Sequence, residues 1–196
     1  MVADGAFHHG SLREDLLRRA RVSLRESGQD GLSLRQLARE AGVSHGAPRR
    51  HFPDRQSLLD GLVREGFESL TAGVREAVRG HEQDNEATFR AVARTYIDFA
   101  LADAALMDLM FAAKSDGRDR ELSSAADEFF TVVGAVTARA TSAPGPGVEG
   151  TRLQMLLVST LQGVASLVGS GRLAASQIDE LVADAAVLFG ANRSRR

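Results

Sequence analysis

The segment GVSHGAPRRHF, residues 42–52, gathers two histidines, two arginines and two glycines around one proline. Three chemistries fit such side chains: metal ligation, catalysis, and hydrogen bonding to an anionic partner. A helical metal pair needs histidines three or four positions apart on one face. His45 and His51 are six positions apart, about 240° around a helix at about 100° per residue, so they diverge. Ser44 and His45 are adjacent, but Ser44 stands where a helix N-cap is expected. No G-x-x-x-x-G-K-[ST] phosphate loop exists, and no G-x-G-x-x-G follows a strand. Neither a metal, a cofactor nor an enzymatic reaction is expected.

DNA is the third partner. Two short helices joined by a tight turn at Gly42-Val43-Ser44 have the pattern of a helix-turn-helix, whose second helix offers its N-terminal residues to base edges in the major groove. Gly46 and Ala47 add little bulk there. Pro48 falls in the first turns, where a missing N–H costs little. On an α-helix running from about His45 to His51, His45 would project with Arg49, Gly46 with Arg50, and Phe52 would anchor the element to the core. The alternative is a short solvated helix with ordinary surface arginines.

The flanking chain supplies the elements that must hold this segment. SLREDLLRRARVSLRESG opens with Ser11 and Glu14 spaced as a capping box. Leu16, Leu17, Ala20 and Leu24 follow at helical spacing until Gly28. SLRQLAREAG repeats the device, with Ser33 and Gln36 as the box, Leu34, Leu37, Ala38 and Ala41 as the stripe, and Gly42 past the end. Asp54 should cap a long helix whose face carries Leu58, Leu59, Leu62, Val63 and Phe67. Further helices are predicted near 86–101, 103–113, 119–141, 149–170 and 175–190, with loops at 114–117 and 143–147. Strand alternation is nearly absent, so the chain should be all-α.

Composition narrows the class. The 196 residues include no cysteine and are 43% hydrophobic. Disulfides and thiolate sites are excluded, and a reducing cytoplasm fits. The run Leu153–Gly171 is free of charge, but Gln154, Ser159, Thr160, Gln162, Ser166 and Ser170 mark it as a helix buried in protein rather than a membrane span. Net charge is −2 overall, yet residues 1–66 carry +2, and Lys114 is the only lysine among the basic residues. Arginine suits bidentate contacts to phosphate and guanine.

The stretch LSLRQLAREAGVSHGAPRRHFPDRQSLLDGLV, Leu32 to Val63, resembles the DNA-binding domain of the TetR family of bacterial transcriptional regulators, with the likeness covering about 10–66. The resemblance implies a flexible N-terminus at 1–10, a three-helix helix-turn-helix domain at 11–66, a helical effector-binding and dimerisation domain at 67–191, and a basic tail at 192–196. It assigns DNA contacts to Ser33, Arg35, Ser44, His45, Gly46, Ala47, His51 and Arg55; Arg49 and Arg50 join them on their own chemistry. Position 49 is usually aromatic in the family and is Arg49 here, so operator sequence does not carry over.

The resemblance also implies a homodimer that binds a palindromic double-stranded DNA operator and answers to a small effector, most simply as a repressor. An activator or global regulator without effector, and a helical protein–protein adaptor, are the other classes. A dimer follows from geometry too, because two reading heads about 34–36 Å apart span one turn of DNA. Leu153, Leu156, Leu157, Leu161, Val164, Leu167, Val168, Leu181, Ala185 and Leu188 form broad apolar faces suited either to a partner copy or to the chain's own core. Tyr96, Phe99, Met107, Met110, Phe111, Phe129, Phe130, Met155 and Gln162 are candidate pocket residues for an apolar or aromatic effector, or plain core.

Overall fold

The computed structural model describes residues 9–112, 120–141 and 148–190. These form eight α-helices and, among the described residues, no strand. They are α1 (His9–Ser27), α2 (Leu34–Glu40), α3 (Arg55–Arg79), α4 (Asn85–Ala102), α5 (Ala104–Ala112), α6 (Arg120–Thr141), α7 (Val148–Gly169) and α8 (Ile178–Leu188). Short 3-10 turns occupy Gln29–Gly31, Pro48–Arg50 and Ala175–Gln177. The expected all-α chain is what the structure has. The loops expected at 114–117 and 143–147 and the tail at 192–196 lie outside the described residues, as do residues 1–8 of the expected flexible N-terminus.

Contacts divide the chain into two compact units. The first contains the described residues up to Gly66 together with those of 105–122; the second contains 67–104 and the described residues from Ser123 onward. The segment 105–122 therefore groups with the N-terminal helices. No helix among the described residues is long and apolar enough to cross a membrane.

In the first unit, α1 begins at His9, so Ser11 lies within the helix rather than at the N-cap position. Leu16, Leu17, Ala20 and Leu24 of α1 are all buried, as are Leu37 and Ala38 of α2 and Leu58, Leu59, Leu62 and Val63 of α3. Each buried leucine or valine among them contributes about 1.5–3 kcal/mol when fully removed from water. Asp54 caps α3 as expected: its Oδ1 accepts from the Ser57 N–H at 2.8 Å and from the Ser57 hydroxyl at 2.8 Å. These bonds favour the ionised carboxylate and hold its pKa below the usual value. Gly61 lets α3 approach closely, since a Cβ there would meet Phe52 Cε1 at 3.0 Å and Leu17 Cδ2 at 3.2 Å.

In the second unit, α4 packs on α7 and α8. Phe89, Val92, Tyr96 and Ile97 of α4 bury against a core that includes Leu157, Leu161 and Ala165 of α7 and Ile178, Val182 and Ala185 of α8. Asp84 caps α4, accepting from Glu86 and Ala87 N–H at 2.9 and 3.0 Å. One guanidinium ties α4 to α8: Arg94 donates to Asp98 at 2.9 Å and to Asp179 at 2.7 Å. The Tyr96 hydroxyl donates to Gln162 Oε1 at 3.0 Å, and burial raises the phenol's pKa above its usual value, so it stays a neutral donor.

Two stability outcomes follow. Gly61→Val should overpack the seat of Phe52 and lower stability by about 1–3 kcal/mol in urea denaturation. Tyr96→Phe removes one buried donor while keeping the ring, and should cost about 1 kcal/mol in the same measurement.

Candidate nucleic-acid interface

The interface is built on two helix ends and a turn. Gly42 terminates α2 with φ of 68°, a left-handed conformation that glycine adopts without a Cβ clash. The Val43 N–H then reaches back to Ala38 O at 3.0 Å and the Gly42 N–H to Arg39 O at 3.2 Å, the pairing of a Schellman end. Ser33 stands at the N-cap of α2, but its hydroxyl makes no capping bond. The expected box with Gln36 does not form; the Gln36 amide donates instead to Glu40 at 2.8 Å.

The second helix differs from expectation. Residues 45–51 are not an α-helix: a turn at His45–Gly46 leads into the 3-10 segment Pro48–Arg50. Ser44 consequently acts as the first residue of a turn, its carbonyl accepting from Ala47 N–H at 3.0 Å, rather than as an α-helical N-cap. The physical reason lies in two residues. Pro48 has no N–H to return to Ser44 O, and Gly46 has poor helix propensity. Three-residue bonds take over: Arg50 N–H to Ala47 O at 3.2 Å and His51 N–H to Pro48 O at 3.0 Å. Successive side chains in a 3-10 turn are about 120° apart, so the four-residue pairing of His45 with Arg49 that an α-helix provides is not built in.

The element is nevertheless anchored. Pro48 and Phe52 are buried, and the Phe52 N–H bonds to Pro48 O at 2.8 Å. The Arg13 guanidinium lies 5.3 Å from the centre of the Phe52 ring, a cation–π contact between α1 and the end of the reading segment.

Of the ten expected DNA contacts, Ser33, Arg35, Ser44, His45, Gly46, Arg49, Arg50 and Arg55 are exposed, and Ala47 and His51 are half-buried. All ten belong to the first unit. A Cβ at Gly46 would meet nothing within 4 Å, so a partner's backbone has open access there. Ser33, Arg35 and His45 line one shallow concavity together with Gln36 and Arg39. The last two are not among the expected contacts: Gln36 is assigned to the capping box with Ser33, and Arg39 to no role.

Several arginines in other parts of the chain have acids: Arg18 and Arg19 with Asp15, Arg64 with Glu121, Arg90 with Glu86. Among the described residues, Arg35, Arg39, Arg49 and Arg50 have no ion-pair partner. Arg55 is partly engaged, donating to the Gln29 carbonyl. Four unneutralised guanidiniums around one turn offer donors to phosphate oxygens and guanine edges.

The expected pocket residues divide between the units. Met107, Met110 and Phe111 belong to the first, where Met110 packs beside Gly66; Phe111 is exposed. The other six belong to the second. There Tyr96, Phe129 and Phe130 join Phe67 in one aromatic cluster, with centroids of Phe129 lying 5.7 Å from Phe67, 6.5 Å from Tyr96 and 5.2 Å from Phe130. Gln162 is the polar partner of Tyr96, Phe99 is half-buried, and Met155 is exposed. Of the expected dimer residues, Leu157, Leu161 and Ala185 are buried within the protomer. Leu153, Val164, Val168 and Leu181 are half-buried. Leu156, Leu167 and Leu188 are exposed at 58%, 42% and 82%.

Comparison with known proteins agrees with this architecture. The profile of "Bacterial regulatory proteins, tetR family" matches residues 16–62, and that of "Tetracyclin repressor-like, C-terminal domain" matches 89–188. The chain is 27% identical over 105 residues to the nucleoid occlusion factor SlmA of Actinobacillus pleuropneumoniae, covering 54% of this chain and 52% of that protein. It is 33% identical over 79 residues to the HTH-type transcriptional repressor AcnR of Corynebacterium glutamicum, covering 38% and 42%. The chain thus spans about half the length of the curated relatives it matches. A solved structure of a protein of unknown function from Rhodococcus sp. RHA1 is 41% identical, with TM-score 0.81 over 95% of this chain and 97% of that one. With an N-terminal helix-turn-helix and a helical C-terminal region both matched, the chain belongs to the TetR family of bacterial transcription regulators.

Proposed function

We propose that this regulator binds a palindromic operator as a homodimer in the cytoplasm and represses transcription until a small effector is bound. The observation that carries the DNA reading is the set of unneutralised arginines, Arg35, Arg39, Arg49 and Arg50, around the turn that ends α2. A surface used only for protein contacts would gain nothing from leaving like charges together, because they repel one another in the free protein. That argues against an adaptor that has lost its operator. Ser33, Arg35, His51 and Arg55 are assigned to the DNA backbone, and Ser44, His45, Gly46, Ala47, Arg49 and Arg50 to the groove. Repression is favoured by the likeness to a protein named as a repressor.

The dimer rests on the apolar residues left uncovered on α7 and α8. Leu156, Leu167, Val187 and Leu188 are large exposed hydrophobics, a grouping that a second copy would cover. The effector reading is supported by the aromatic cluster of Phe67, Phe129, Phe130 and Tyr96, with Gln162 as the polar group beside it. An apolar or aromatic molecule fits such walls. Ligand would act by favouring a dimer state whose reading turns have the wrong spacing for adjacent grooves. A global regulator without an effector is the second reading, favoured by the likeness to a nucleoid occlusion factor.

Selection of purified protein on random duplex DNA should enrich a palindrome with half-sites about one helical turn apart. On that duplex, Arg49→Ala or His45→Ala should weaken binding by roughly tenfold or more, and affinity should fall steeply with salt as counterions are released. No enrichment from protein stripped of small molecules would sink the reading. In sedimentation equilibrium, Leu156→Asp should shift the protein from dimer to monomer, whereas an unchanged dimer would place the interface elsewhere.

A further inference from the structure

We infer that Arg39 is a further DNA-contacting residue, forming with Arg35 a two-guanidinium clamp on a single backbone phosphate. The inference deepens the DNA-binding reading and rests on it. Arg35 and Arg39 are four positions apart on α2, about 40° apart around the helix, so they share a face. Both are exposed, and neither has an ion-pair or hydrogen-bond partner among the described residues. Like charges at this spacing repel and weaken a helix. The one carboxylate on α2, Glu40, does not relieve them, because it accepts the Gln36 amide at 2.8 Å. An anion between the two guanidiniums removes the repulsion and satisfies their donors.

The surrounding groups fit a phosphodiester. Arg35 and Arg39 line the same concavity as Ser33, Gln36 and His45. The Ser33 hydroxyl makes no capping bond to α2 and is available to donate. Gln36 is held by Glu40, so its amide forms part of the wall rather than a competing acceptor at the mouth. Donors from Ser33, Arg35 and Arg39 converging on one dip match the three-sided approach that a phosphate's non-bridging oxygens accept, and planar guanidinium forks suit those oxygens better than a point charge. The clamp sits beside the reading turn, so it would set register and leave base choice to the residues from Ser44 to Arg50.

The test uses full-length protein and the selected duplex. Arg39→Gln, an exposed change, should keep the native circular dichroism and lower affinity roughly tenfold, with the slope of log affinity against log salt reduced by about one. Repeating the selection with Arg39→Gln should return the same palindrome. Arg39→Lys should recover part of the affinity and the full salt slope. Duplexes carrying one neutral methylphosphonate linkage at a time should then reveal one position where the wild type loses affinity and Arg39→Gln loses no more, a coupling that a general charge effect does not produce. Unchanged affinity and salt slope in Arg39→Gln would overturn the clamp while leaving operator binding intact. A changed palindrome would overturn it by making Arg39 a base reader. If inorganic phosphate perturbs the Arg39 guanidinium signals as the duplex does while duplex affinity is indifferent to Arg39, the dip is a simple anion site and the clamp is wrong. Failure of the wild type to select any duplex would remove both the clamp and the DNA reading beneath it.

Discussion

The reading surface depends on how Phe52 is seated. Its ring is buried, with the Arg13 guanidinium over one face and α3 close enough at Gly61 that an added Cβ would lie 3.0 Å from the ring edge. The backbone of Pro48 is tied to the same residue through the Phe52 N–H. A segment that lacks regular α-helical bonding has little rigidity of its own, so its position must come from what its ends bury. Pro48 and Phe52 do this, four residues apart, while Arg49 and Arg50 between them stay in solvent. Preorganisation of the exposed arginines is therefore a packing property of α1 and α3.

Electrostatics in this chain is local rather than global. A net charge of −2 conveys nothing about DNA. What matters is where along the chain several cations are left unpaired close together. Asp15, Glu86 and Asp98 neutralise neighbours one helical turn away on α1 and α4, and such exposed pairs contribute little to stability. On α2 and around the turn after it, Arg35, Arg39, Arg49 and Arg50 have no such partner. Leaving these cations unpaired costs the free protein some self-repulsion, which a bound anion such as a phosphate would relieve.

The helical region beyond Gly66 is organised differently. Directed polar contacts link its helices, among them Tyr96 to Gln162, Gln154 to the Phe130 carbonyl and Arg94 to Asp179. Between them lies an aromatic and aliphatic core. Gly134 leaves room for Gln154, whose Oε1 would lie 3.2 Å from a Cβ at that position. These contacts join α4, α6, α7 and α8 at defined registers, because a buried amide or hydroxyl that slides loses its partner at a cost of about 1–3 kcal/mol.

Much was legible in the residues alone. Helical periodicity marked the buried stripes of α1, α2 and α3, and Gly42 and Asp54 marked their ends, because backbone geometry and capping are local physics. The candidate DNA contacts come from the sequence and its family resemblance, and the structure leaves eight of the ten exposed in the first unit. Three things required the tertiary structure. Ser11 and Ser33 both have capping-box spacing, but α1 starts before Ser11, and Gln36 bonds to Glu40 instead of forming a box with Ser33. The segment after Ser44 reads as helix by composition, yet it forms a turn and a 3-10 segment, because Pro48 cannot bond back to Ser44 O and Gly46 favours no helix, and the burial of Pro48 and Phe52 then fixes where it lies. Apolar faces on α7 and α8 look alike in sequence, but Leu157, Leu161 and Ala185 are buried in the protomer while Leu156 and Leu188 are left in solvent. A helical pattern records that a face is apolar. Which surface covers it depends on where the other helices pack, and that is determined only when the whole chain has folded.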